Sequence, residues 1–159
     1  MPALQWMNHT GFVVEDIERS LAFYRDLLGL QVERDGVMEG DFISNLTGFA
    51  DARLRIVYLG NGDGRHSVEL IQYLNPVGAR PQRPNRNDVG VTHLGIIVDD
   101  LESLHRSLSA KGVSFVSPPA YRSEARYPWA ACATYVRDPD GNYLEFIERA
   151  PAPPGETRA

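Results

Sequence analysis

Apolar and polar positions fall into two rhythms that take turns along the chain. Residues 6–14, WMNHTGFVV, predict a strand. Residues 16–28, DIERSLAFYRDLL, predict an amphipathic helix, because Ile17, Leu21, Tyr24 and Leu28 recur at three- and four-residue spacing. Asp16 suits its N-cap and Gly29 its stop. Strands follow at 30–38, 53–60 and 66–74, with a short helical turn expected within 39–51 and a Gly/Asn/Asp turn at Asn61–Gly64. The second half predicts a strand at 90–98 and a capped helix at 99–112 that ends on Gly112. A short strand at VSFVSPP (113–119), a loop at 119–130 and two strands, 131–138 and 143–149, joined by the DPDGN turn complete it.

The second half repeats the first. HTGFVVEDIE (9–18) aligns without gaps on HLGIIVDDLE (93–102), and VELI (68–71) aligns on LEFI (144–147) near the end of each half. A shared apolar pattern accounts for two similar strand–helix units. It does not account for a polar His and a polar Glu at matched places. The expected architecture is therefore α+β: two copies of a β-α-β-β-β unit, residues 1–75 and 91–149. Residues 76–90 form a Pro-rich linker between them, and 150–159 a Pro-rich tail.

Side chains alternate faces along a strand. On that count His9 shares a face with Met7, Gly11 and Val13, and Glu69 with Ser67, Ile71 and Tyr73. His93 lies with Val91, Gly95 and Ile97, and Glu145 with Tyr143 and Ile147. Each polar residue is thus expected mid-strand among apolar neighbours, where a carboxylate is costly unless paired, protonated or bound to a cation. A pseudo-two-fold axis relating the units would gather all four. Two imidazoles and two carboxylates are a mixed nitrogen and oxygen set, suited to Zn, Ni, Co, Mn or Fe. On a six-coordinate ion they leave two adjacent positions for a substrate with neighbouring oxygens. His66 falls on the opposite strand face from Glu69, and His105 lies on a helix; both read as solvated. Cys132 reads as a small core residue.

Composition narrows the partners. The chain has 159 residues, 43% hydrophobic and 23% charged, enough for a buried core. Its formal charge of -5, with no basic run, argues against nucleic acid. No apolar stretch approaches the roughly 20 residues of a membrane span, and MPALQWMNH lacks the features of a signal peptide. A single cysteine excludes an intrachain disulfide. The expectation is a soluble cytoplasmic protein with a small-molecule partner. Curled sheets with edges and an apolar face to cover make a homodimer the expected assembly.

The segments HTGFVVEDIERSLAFYRDLLGL, VELIQYLNP, THLGIIVDDLESLHRSL and RDPDGNYLEFIE resemble the vicinal oxygen chelate superfamily, the glyoxalase, bleomycin-resistance and extradiol dioxygenase group. The resemblance spans residues 6–149. It implies two paired βαβββ modules whose mixed sheets curl into a cup around a divalent metal. It carries the metal ligands onto His9, Glu69, His93 and Glu145, a set similar to that of bacterial glyoxalase I. The ELIQYLNP strand and the Pro-rich linker into GVTHL resemble the epimerase-like branch. The implied activity is an isomerase or epimerase that moves a proton at a carbon beside a metal-chelated carbonyl through an enediolate-like intermediate. Glu145 is the first choice of catalytic base, with Glu69 as its partner on the opposite side. The alternatives are lactoylglutathione lyase (glyoxalase I), extradiol dioxygenase and a non-catalytic drug-binding resistance protein. Arg122, Arg126, Tyr127 and Trp129 are candidates for the cup mouth and for substrate contact.

Overall fold

The structure is a computed structural model that describes residues 3–80, 82, 84–122 and 130–150. It divides into two compact units, Met1–Arg83 and Pro84–Ala159, the division falling within the Pro-rich stretch.

The first unit runs β1 (His9–Val13), α1 (Ile17–Leu21), β2 (Gln31–Glu39), α2 (Asp41–Thr47), β3 (Arg53–Gly60) and β4 (Ser67–Asn75). Its sheet has the order β1-β4-β3-β2, with β1 parallel to β4 and the other pairs antiparallel. The second unit runs β5 (His93–Val98), α3 (Leu101–Ala110), β6 (Ala120–Tyr121), β7 (Cys132–Arg137) and β8 (Tyr143–Glu148). Its order, β5-β8-β7-β6, is the same arrangement, with β5 parallel to β8. The repeat in the sequence is thus a repeat of topology, and the α+β expectation holds.

Both units anchor the helix after the first strand in the same way. The Asp16 carboxylate accepts from the amides of Glu18 and Arg19, and the Ile17 amide donates to Gln72 Oε1 at 3.2 Å. In the second unit Asp100 accepts from the Ser103 amide at 2.9 Å, and the Leu101 amide donates to Glu148 Oε2 at 2.8 Å. First-turn amides have no partner within a helix, so each cap satisfies donors that would otherwise be orphaned. Gln72 and Glu148 each lie three residues beyond a candidate ligand, on the other sheet face. One strand thus docks a helix with one side and presents a carboxylate with the other. Leu70 and Leu144, fully buried next to Glu69 and Glu145, would each cost about 2–5 kcal/mol on truncation to Ala.

Several elements depart from expectation. The helix predicted over 16–28 is α-helical only to Leu21 and continues as a π-helical segment, Ala22–Leu27, with the Leu28 amide bonded to Phe23 O. The wider turn brings both Phe23 and Tyr24 inward, where their rings meet edge to face and Tyr24 stacks on Phe12. The first strand begins at His9 rather than Trp6, because its partner β4 begins only at Ser67. The strand expected at VSFVSPP is a single bridge, Phe115 to Val136; Pro118 and Pro119 have no amide to continue a ladder, which resumes in β6 at Ala120–Tyr121. The helical turn expected within 39–51 is α2, whose Ile43 packs with Ala52, Leu54 and Ile56 on the same sheet face as Tyr58, Ile71 and Tyr73.

Candidate functional site

Strand register places the candidate ligands. In the first unit Glu69 lies beside Gly11 of β1 and opposite Tyr58 of β3. In the second, Glu145 lies beside Gly95 of β5 and opposite Tyr135 of β7. The glycines matter for space: a Cβ at Gly11 would stand 3.1 Å from Glu69 Oε2. Two residues before each glycine the strand begins with a histidine, on the same face. His9 Nε2 is 3.2 Å from Glu69 Oε2, and His93 Nε2 is 3.1 Å from Glu145 Oε2. Each unit thus brings its own histidine and glutamate together.

The surroundings differ from the expected apolar strand middle. Both histidines open their strands and are partly exposed, with side-chain exposures of 37% for His9 and 44% for His93. The carboxylates are the enclosed members: Glu69 is buried, its side chain 10% exposed, while that of Glu145 is 22% exposed. A buried carboxylate needs a cation or several hydrogen bonds. The Tyr58 hydroxyl donates to Glu69 Oε1, so the two oxygens of Glu69 are divided between tyrosine and histidine. Burial first, and then the neighbouring carboxylate, push the Tyr58 hydroxyl up to about 12. The Tyr135 hydroxyl is likewise raised, by burial and then by the Glu145 charge and hydrogen bond. Each tyrosine also takes a histidine ring edge to face, at 5.5 Å in the first unit and 5.3 Å in the second. A guanidinium covers each tyrosine, Arg34 at 5.8 Å from the Tyr58 ring and Arg86 at 4.4 Å from that of Tyr135.

Tyr58, Tyr135, Arg34 and Arg86 were not among the residues expected at the site. A signal for one of the tyrosines does exist in the sequence. Counting outward equally from the DPDGN turn pairs Tyr135 with Glu145, whereas the same count from Asn61–Gly64 pairs Tyr58 with Ser67, two residues short of the observed Glu69. The two arginines carry no such signal.

The donor chemistry fits a metal ion. His9 Nδ1 is 2.8 Å from Asn8 Oδ1; in the tautomer with its proton on Nδ1, Nε2 offers a lone pair to an ion. That lone pair faces a carboxylate oxygen, an arrangement that calls for a proton or a cation between them. Two donors at about 2.1 Å from one ion, at right angles, stand about 3 Å apart, close to both His–Glu distances. Each unit supplies two donors. Among the described residues no three His, Cys, Asp or Glu side chains gather into a group that could hold an ion.

The other candidates fall away from these pairs. The His66 ring bonds Thr10 Oγ1 at 2.9 Å and stays exposed, as expected. His105 is half-buried against Phe115, ring centroids 4.4 Å apart, rather than solvated. Cys132 is buried beside Glu148, and burial raises its thiol. Arg122 is exposed, its amide bonded to Ala131 O at 3.0 Å. Arg126, Tyr127 and Trp129 lie outside the described residues. Among the described residues no helix is long and apolar enough to cross a membrane.

Comparison with known proteins gives a consistent family. The model of the Glyoxalase/Bleomycin resistance protein/Dioxygenase superfamily matches residues 6–146. The uncharacterized Bacillus subtilis (strain 168) protein YwbC is 26% identical over 90% of this chain and 97% of its own. A Haemophilus influenzae lactoylglutathione lyase is 25% identical over 88% of this chain and 90% of its own. A glyoxalase family protein from Bacillus cereus superposes with a TM-score of 0.82 at 22% identity, covering 94% of this chain and 97% of that one. This last likeness bears on the fold.

Proposed function

Because the chain belongs to the Glyoxalase/Bleomycin resistance protein/Dioxygenase superfamily, we propose that it is a divalent-metal-dependent isomerase or epimerase. It would move a proton at a carbon next to a carbonyl of a small substrate with adjacent oxygens. The observation that supports this most directly is the enclosed Glu69 carboxylate facing a histidine nitrogen, repeated as Glu145 facing His93. Members of the superfamily typically bind a divalent metal. In the proposal His9, Glu69, His93 and Glu145 are the metal ligands. The ion, one of Zn, Ni, Co, Mn or Fe, supplies Lewis acidity that makes a carbon beside a carbonyl more acidic.

The protein supplies the rest. His9 and His93 offer neutral nitrogen donors. Glu145, the more open carboxylate, takes the proton from the substrate carbon and returns it. Glu69, enclosed and held by Tyr58, stands as its partner and would serve the opposite face where the reaction inverts a centre. The lactoylglutathione lyase among the relatives favours a second reading within the same chemistry, in which the proton moves between neighbouring carbons of a thiol adduct. We take the working unit to be a homodimer, since members of the superfamily often form dimers.

Metal analysis of untagged protein, followed by incubation with 2-oxo, thioester and cyclitol substrates in deuterated water, tests the proposal. The expected result is one ion per site and ion-dependent deuterium at a carbon beside a carbonyl. A protein that purifies without metal, ignores chelators and binds an apolar drug overturns it in favour of sequestration.

A further inference from the structure

Glu69 has two carboxylate oxygens, and the structure gives them different neighbours. Oε2 faces His9 Nε2 at 3.2 Å, while Oε1 accepts the hydrogen bond of the Tyr58 hydroxyl. Tyr58 is half-buried in β3, directly opposite Glu69 in the ladder, and its ring meets the His9 ring edge to face at 5.5 Å. Arg34 approaches the same ring. Gly11 on the other side leaves room for Oε2, where a Cβ would approach to 3.1 Å. One side chain thus fixes both the rotation of the carboxylate and the flank of the histidine beside it.

We propose that Tyr58 is a positioning residue for the candidate metal centre: by occupying Oε1 it leaves Oε2 as the one oxygen of Glu69 presented beside His9, so that Glu69 ligates through a single oxygen. The inference rests on the reading of His9 and Glu69 as metal ligands, and it adds how that ligation is enforced. In this role Tyr58 acts through Glu69. Its hydroxyl is a neutral donor, so it orients the carboxylate without competing for the ion's charge. Partners of this kind are typically worth about 10- to 100-fold in metal affinity.

The test uses full-length metal-free protein and cobalt(II) as the probe. Wild-type and Tyr58→Phe proteins are titrated with cobalt(II) while visible absorption is recorded, with circular dichroism to verify the fold. In Tyr58→Phe the affinity should fall by about tenfold or more. The absorption band should also change shape and weaken as Glu69 turns to bind through both oxygens. Unchanged affinity and spectrum in a folded variant overturn the role of Tyr58 and leave the metal reading standing. Wild-type protein that takes up no cobalt(II) overturns both. A second measurement needs no tyrosine variant. In the infrared difference between loaded and metal-free wild-type protein, the Glu69 carboxylate bands, assigned in metal-free protein by their loss in Glu69→Gln, should move further apart on loading, as in one-oxygen ligation. Bands drawn together, as in two-oxygen ligation, overturn the inference.

Discussion

The two units carry the same histidine, glutamate and tyrosine on the same strand positions, with a guanidinium over each tyrosine, yet they do not enclose them equally. In the first unit the Glu69 side chain is 10% exposed and Tyr58 holds one of its oxygens. In the second the Glu145 side chain is 22% exposed. Gly11 leaves the Glu69 carboxylate little spare room, whereas the nearest atom to a Cβ at Gly95 is Ile147 Cδ1 at 3.5 Å, an ordinary contact. A duplicated constellation with one tight copy and one looser copy suggests a division of labour. The enclosed carboxylate is suited to holding an ion, and the open one to moving a proton.

The sharpest way to break that division is to neutralise each glutamate in turn. Glu145→Gln should lower turnover by about 10²–10⁴-fold, the usual worth of a positioned acid–base group, with most of the metal retained. Glu69→Gln should lose metal first, and activity as a consequence. Turnover and metal content measured on both variants decide the matter. If Glu69→Gln keeps its ion and loses only turnover, the roles are reversed.

The glycines sharpen the same contrast at smaller cost. Gly11→Ala brings a methyl to within 3.1 Å of Glu69 Oε2, so the carboxylate must shift and metal affinity should fall by about tenfold. Gly95→Ala meets only ordinary contact and should bind the ion almost as the wild type does. Isothermal titration of the two variants with the same metal compares them. Equal losses would mean that the tighter approach in the first unit has no bearing on ligation.

Much of this was legible in the residues. The repeat HTGFVVEDIE and HLGIIVDDLE carried the topology, because a cap, a glycine and an apolar stripe recur together and each demands a particular backbone. Strand alternation told which neighbours share a face with each histidine and glutamate, but the contact of His with Glu inside each unit comes from the parallel pairing of first and last strands. The exposure of His9 and His93 did not follow from alternation either, because it depends on where β4 and β8 begin, and strand ends are set by partners rather than by propensity. The π-helical turn was hidden for a related reason: Phe23 and Tyr24 are adjacent, and only packing against Phe12 decides that both turn inward. Arg34 and Arg86 come from the second strand of one unit and the linker before the other. No repeat in the sequence could have paired them.

Alkaline titration probes the tyrosine of the first unit in the folded protein. The Tyr58 hydroxyl is pushed up to about 12 by burial and by Glu69, against an ordinary value near 10.0. The folded state therefore favours the protonated phenol. This contribution to stability is complete below pH about 10 and is lost as pH rises towards about 12. Chemical unfolding across that range should show wild-type protein losing stability more steeply than Tyr58→Phe. Parallel losses would mean that other groups carry the alkaline transition.

The smallest expected effect concerns the helix caps, which the two units share in kind and differ in detail. The Asp16 carboxylate accepts from two amides, at 2.9 and 3.3 Å, whereas Asp100 accepts from the Ser103 amide and the Ser103 hydroxyl. Asp16→Ala should cost about 1 kcal/mol, read as a lower urea midpoint at unchanged slope. Asp16→Asn should restore most of it, since a neutral oxygen can accept the same amides. The Ile17 amide remains tied to Gln72 Oε1 in either variant, so the helix stays docked above β4 and the His9–Glu69 pair should keep its metal affinity. A cap variant that weakens metal binding as much as Gly11→Ala would show that helix docking and carboxylate placement are coupled through β4, whose two faces carry them.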